Sequence, residues 1–200
     1  MTTDIIRFKC VLLGEANAGK TSLLKKYIDN TFTSDSQTTI GCSFNSKLIK
    51  IGTRDVKLDI WDTAGQEKYR SMLPMYYKNA RIIFICFDLS TPGDNLLKNI
   101  NYWLTELNKN CNIDDREILF VGTKCDIKGA TISPIIENIM DTFPEIKYTE
   151  TSSKTGKNID KLFNSIVKKL VNKIKEPEIE NIAFTVVADE EVGCFKCNIA

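Results

Sequence analysis

The stretch Gly14-Glu15-Ala16-Asn17-Ala18-Gly19-Lys20-Thr21-Ser22 follows directly on the apolar run Cys10-Val11-Leu12-Leu13. A glycine, a string of small residues, a second glycine, a lysine and two hydroxyls behind a buried strand constrain this chain more than any other feature. Gly14-x-x-x-x-Gly19-Lys20-Thr21 fits the pattern G-x-x-x-x-G-K-[ST] in full. Residues 20–30 then carry Leu23, Leu24, Tyr27 and Ile28 at helical spacing. Strand, loop, helix is the context the pattern demands. The glycines let backbone N–H groups wrap phosphates, and the helix N-terminus adds positive potential. Lys20 would reach the outer phosphates and Thr21 would turn its hydroxyl to Mg²⁺. The duller reading, a turn that merely links strand to helix, is the weaker one in that context.

The remainder of the chain alternates strand and helix signals. Strands are predicted at 7–13, 44–49, 56–61, 82–87, 118–121 and 147–149, the second and third joined near Gly52 as a hairpin. Helices are predicted at 20–30, 93–110, 134–140 (with Ser133 as N-cap and Pro134 at the first position) and 159–174. This is an α/β domain with a mostly parallel sheet. Ligands bind such sheets outside the carboxyl ends of the strands, so the loops after Leu13, Trp61, Phe87, Val121 and Thr149 should gather at one edge. At 42% hydrophobic residues the chain buries a real core, and a net charge of +1 gives no field that draws nucleic acid. The chain has no histidine, which excludes His-based triads, His metal ligands and the usual neutral-pH base. Seven scattered cysteines, an odd number, read as free thiols of a reducing compartment. No signal peptide or membrane-spanning run is visible, so the chain is expected to be made and kept in the cytosol.

Further stretches sharpen the phosphate reading. Asp62-Thr63-Ala64-Gly65-Gln66 follows a strand. There an acid can hold Mg²⁺ through water, Gly65 can bring its N–H to the γ-phosphate, and Gln66 can orient an attacking water. Thr123-Lys124-Cys125-Asp126 follows the strand at 118–121. A carboxylate at Asp126 can accept two hydrogen bonds from guanine, whereas adenine would leave it unpaired. The aliphatic stem of Lys124 can cover the base. Glu150-Thr151-Ser152-Ser153-Lys154 offers backbone N–H groups to the guanine oxygen.

In order and spacing these stretches, from about residue 7 to residue 174, resemble the small Ras-like GTPases. The resemblance implies a six-stranded sheet with one antiparallel edge strand, a GTP/GDP site with Mg²⁺, and two switch loops. It puts Asn17, Ala18 and Ser22 in the phosphate cradle, Phe32 beside the guanine, and Thr39 of Thr39-Ile40-Gly41 on Mg²⁺ and the γ-phosphate. It makes Gln66 and Lys20 the catalytic pair, and Thr21, Thr39 and Asp62 the metal-holding residues. Within that family the chain looks like a Rab, through Trp61-Asp62-Thr63-Ala64-Gly65-Gln66-Glu67, Tyr76-Tyr77-Lys78-Asn79-Ala80 and Phe87-Asp88-Leu89-Ser90. Thr39-Ile40-Gly41 and Leu73-Pro74-Met75-Tyr76-Tyr77 lean toward the early-endosomal branch. Such a protein acts as a monomer that hydrolyses GTP. Its partners are an exchange factor, an activating protein, a GDP-dissociation inhibitor or similar carrier, and effectors that read the switch loops. Departures are Thr123 where Asn is usual, Ala16 where Ras has Gly and many Rabs Ser, and Cys42-Ser43-Phe44 after Ile-Gly.

The GTPase domain is expected to span 1–175 and a flexible tail 176–200. The ending Cys197-Asn198-Ile199-Ala200 fits C-a-a-X prenylation. One lipid anchors only marginally, and a polybasic segment usually helps. Here the tail carries Glu176, Glu178, Glu180, Asp189, Glu190 and Glu191 instead, so a second lipid is expected on Cys194. The expected address is the cytoplasmic face of an endosomal or vesicle membrane, with cycling through the cytosol.

Overall fold

The computed structural model describes residues 5–34, 38–91, 96–110, 116–129 and 132–174. Its strands are β1 (Ile6–Leu13), β2 (Cys42–Ile51), β3 (Arg54–Thr63), β4 (Ile82–Asp88), β5 (Glu117–Thr123) and β6 (Lys147–Glu150). Its helices are α1 (Lys20–Asp29), α2 (Leu73–Tyr77), α3 (Leu96–Asn110), α4 (Ile132–Thr142) and α5 (Ile159–Lys173). The strands form one sheet in the order β2-β3-β1-β4-β5-β6. Among the described residues only the β2–β3 pair is antiparallel. This is the α/β architecture and the antiparallel edge that the resemblance implies.

The continuous apolar runs of β1 and β4 follow from cover on both faces. Alternate residues of β1 part company: Cys10 and Leu12 face α1 and α5, with Leu23, Leu24, Phe163 and Ile166. Val11 and Leu13 face the layer of Leu96, Trp103 and Ile136 from α3 and α4. Tyr27 of α1 stacks on Phe163 of α5 with ring centroids 3.9 Å apart, and Phe84 of β4 meets Phe163 edge-on at 5.2 Å. Cys10 and Cys86, which lie inside the runs of β1 and β4, are buried free thiols.

The elements differ from the sequence-based expectation in places. β2 and β3 run several residues beyond the alternating segments, because antiparallel hydrogen bonding continues in register from Cys42 opposite Thr63 to Ile51 opposite Arg54. Ser133 is not an N-cap. α4 is already helical at Ile132, so Ser133 and Pro134 both lie in its first turn. A proline is harmless there, since first-turn N–H groups have no intrahelical partner. The segment after Gln66, for which no element is predicted, is a 3₁₀ turn over Glu67–Met72 leading into α2. Residues 93–95 of the helix predicted at 93–110, and the tail with Cys194 and Cys197, lie outside the described residues.

Candidate functional site

At the carboxyl edge of the sheet lies a cavity of about 490 Å³, lined by Ala16–Ser22, Phe32–Ser34, Thr38, Thr39, Thr63, Gly65, Thr123, Lys124, Asp126, Ile127, Ser153 and Lys154. That size is ordinary for a small-molecule site, about 300–1,000 Å³. Loops after β1, β3, β5 and β6 form it, together with the segment between α1 and β2. Among the described residues, the loop after β4 does not line it. Its Asp88 acts from behind, where Ser90 donates to Oδ1 and Lys124 Nζ donates to Oδ2 at 2.6 Å. Gly14, Asp62, Gln66 and Ser152, singled out in the sequence, also stand behind or beside the lining. Thr33, Ser34, Thr38, Thr63 and Ile127 join it without having been singled out as site residues.

The loop between β1 and α1 is shaped by what surrounds it. A Cβ on Gly14 would sit 2.1 Å from the Cys86 carbonyl oxygen of β4, so only glycine lets the strand turn there. Lys20 Nζ folds back over the loop and donates to the Gly14 and Glu15 carbonyls, each at 2.8 Å. Burial pulls the Lys20 pKa below its ordinary value, opposed by the nearby Cys86, Asp62 and Glu15. A buried ammonium of this kind is suited to an anionic ligand.

Beside Lys20, three side chains from three segments converge. The Thr21 hydroxyl donates to Asp62 Oδ2 at 2.6 Å and lies 2.7 Å from the Thr39 hydroxyl. Asp62 Oδ1 is buried and makes no hydrogen bond among the described residues. Burial raises the Asp62 pKa, while the Thr21 hydrogen bond and the Lys20 and Lys25 charges lower it. Hard oxygen donors grouped around an unsatisfied carboxylate fit Mg²⁺, which keeps several waters and shares its shell with phosphates. Thr39 stands at this cluster; its neighbour Thr38 only lines the cavity.

At the other end, the two loops proposed to read a base are tied together. The Ser152 hydroxyl donates to Asp126 Oδ1 at 2.6 Å, and Cys125 N–H donates to the Thr151 carbonyl at 3.1 Å. Lys128 Nζ donates to Glu150 Oε1 at 2.7 Å, and the Tyr148 hydroxyl donates to the same oxygen at 3.0 Å. Thr123 is fully enclosed. Its hydroxyl lies 2.9 Å from the Ala18 carbonyl and 3.1 Å from the Phe87 carbonyl, bridging the phosphate loop to β4. Phe32 is 41% exposed on the cavity rim.

Gln66 opens the 3₁₀ turn, its carbonyl accepting from Tyr69 N–H at 3.1 Å. Its neighbour Gly65 packs against the phosphate loop. Four residues on, Arg70 pairs with Glu15 of that loop. Neither Glu15 nor Arg70 carries a role in the motif reading, since nothing local links residues 55 positions apart.

A mostly parallel sheet with this loop ahead of its first helix, and with these loops after β3 and β5, is the architecture of a phosphate-loop G domain. The Ras family model matches residues 9–172 of the chain. Ras-related protein Rab-24 of Dictyostelium discoideum is 38% identical over 170 residues, 83% of this chain and 82% of its own length. Ras-related protein Rab-10 of Diplobatis ommata is 33% identical over 98% of this chain and 97% of its own length. Ras-related protein RABA5b of Arabidopsis thaliana is 33% identical over 88% of this chain and 81% of its own length. The chain therefore belongs to the Ras family of small GTPases, on its Rab side, and like that family it is a GTP hydrolase.

Proposed function

We propose that this chain is a membrane-anchored Rab-type switch that regulates vesicle or endocytic traffic, and that the residues around the cavity divide its work as follows. Lys20 and the backbone of Gly14–Ser22 hold the β- and γ-phosphates. Thr21, Thr39 and Asp62 hold Mg²⁺, which neutralises charge on the phosphates when bound. Asp126 reads guanine, with Phe32, Lys124 and Ser152–Lys154 enclosing the base. Gln66 orients the water that attacks the γ-phosphate, while Gly65 presents its N–H to the same group. Release of that phosphate frees the segments around Thr39 and Gln66, which is the switch. The observation that carries this reading is the meeting of Thr21, Thr39 and Asp62 from three separate segments at 2.6–2.7 Å.

No arginine lines the cavity among the described residues. Intrinsic turnover is accordingly slow and an activating protein supplies the missing cation. Gln66→Leu should abolish stimulated hydrolysis in a single-turnover assay on preloaded GTP. Normal stimulated turnover in that variant would remove Gln66 from its role. Phe44, Trp61 and Tyr76 pack in a row, with centroids 5.2 and 5.9 Å apart, and Phe44 stays half exposed. This row is the surface for effectors. Prenylation of Cys197 with a second lipid on Cys194 supplies the anchor, and Cys194→Ser should shorten membrane residence. A Ras-like signalling role is the second reading, favoured by the C-a-a-X ending, which Rab-type paired cysteines would replace. An N-terminally tagged chain on endocytic vesicles supports traffic; a plasma-membrane rim supports signalling.

A further inference from the structure

The segment Gly65–Arg70 touches one residue of the phosphate loop at both of its ends. At the first end there is no spare room. A Cβ on Gly65 would lie 2.3 Å from the Glu15 carbonyl carbon and 2.3 Å from Ala16 N, so the Gly65 Cα rests directly on the Glu15–Ala16 peptide. At the second end, Arg70 Nη2 donates to both Glu15 carboxylate oxygens, at 2.9 and 3.0 Å. The Arg70 guanidinium also lies over the Tyr102 ring of α3, 4.5 Å from its centroid. Glu15 is itself held from the other side by Lys20 Nζ on its carbonyl. Gln66 stands between the two anchors, one residue from the first.

A side chain that must aim a water at a reacting phosphorus needs its backbone fixed, because small misplacements cost large factors in rate. We propose that Glu15 and Arg70, backed by the Tyr102 ring, form a clasp that positions Gln66 for GTP hydrolysis. Both are positioning residues. The inference rests on the assignment of Gln66 made above. The same contacts explain why Arg70, though only one turn from Gln66, does not serve as a cation for the reaction: Glu15 and Tyr102 hold its guanidinium outside the cavity. With side chains 34% and 35% exposed, the pair is screened by water and salt, and so is weak enough to open in each cycle.

The test uses the full chain loaded with GTP and Mg²⁺. Single-turnover hydrolysis and GTP dissociation are measured for Glu15→Gln, Arg70→Gln, the double variant, Arg70→Lys and Gln66→Leu. Each single clasp variant should slow hydrolysis about three- to tenfold. The double should be no slower than the slower single, and Arg70→Lys should recover part of the loss. GTP dissociation should stay within about twofold, which a general loosening of the pocket would not allow. Parental hydrolysis in either single, multiplicative losses in the double, or dissociation accelerated as much as hydrolysis is slowed, would each overturn the clasp. If Gln66→Leu abolishes hydrolysis while the clasp variants are unaffected, the clasp alone fails. If Gln66→Leu hydrolyses normally, the Gln66 assignment fails and the clasp with it.

Discussion

Thr123 shows how one hydroxyl can stand in for a larger side chain. Its Oγ is shared between the Ala18 and Phe87 carbonyls, so it ties the floor of the phosphate loop to the end of β4. Thr123→Val keeps the shape and removes the one proton that the two buried carbonyls share. The expected loss is about 1–3 kcal/mol of stability, read by denaturant unfolding, together with faster GDP release. Gly65 makes a different kind of demand. Gly65→Ala places a methyl against backbone on the Glu15–Ala16 peptide, and backbone cannot step aside as a flexible side chain can. That variant should bind GDP nearly as well as the parent but hydrolyse preloaded GTP at least tenfold more slowly, since the segment carrying Gln66 is pushed off the loop. Equal hydrolysis rates in Gly65→Ala and parent would refute the contact's importance.

Among the elements, α5 is held by both packing and charge. Phe163 is enclosed between Tyr27 and Phe84, and Phe163→Ala should cost about 3–5 kcal/mol in a melting or urea experiment. Near its end, Lys169 and Lys173 both donate to the Glu117 carboxylate at the start of β5. Burial works to raise the Glu117 pKa, but hydrogen bonds from the two lysines outweigh it and leave the pKa below its ordinary 4.5. The folded state therefore binds this proton less readily than the unfolded chain. The contribution is present at neutral pH and is lost as pH falls below 4.5 and through the lower folded value. Glu117→Gln should flatten the fall in stability over that acid range and change little in its slope above pH 6. The faces of α3 and α5, and the buried strands β1 and β4, were legible because each has a strong period or an unbroken apolar run. The 3₁₀ turn at Glu67–Met72 was not, because it buries no residue and so leaves no period to read. The Glu15–Arg70 pair was equally invisible: a glutamate in a loop and an arginine in a turn carry no sign of each other until the sheet brings their loops together. Local motifs did announce Gly14–Thr21, Asp62–Gln66 and Thr123–Asp126, since each sits within a few residues of a strand end.

For the whole molecule, the cavity is closed by loops from four strands and by the segment between α1 and β2, so its occupancy and the fold are linked. Saturating GDP with Mg²⁺ should raise the melting temperature, and at about a hundred times Kd the gain is about 2.7 kcal/mol. Chelation of the metal should lower the melting temperature and speed nucleotide release, because the buried Asp62 Oδ1 is left without a partner and burial disfavours the charged carboxylate. A melting temperature indifferent to chelator in the GDP form would argue against metal at the Thr21–Asp62 cluster. A last consequence follows from the hairpin of β2 and β3. Its open end pairs Cys42 with Thr63, and Ala64 N–H donates to the Gly41 carbonyl at 2.8 Å. Thr39 and Gln66 therefore hang from adjacent ends of one ribbon, a few residues from a shared rung. Neither can swing away without loading that rung, so the two loops should relax in concert. Reporters placed on each, followed by stopped flow after hydrolysis, should decay with a single common time constant.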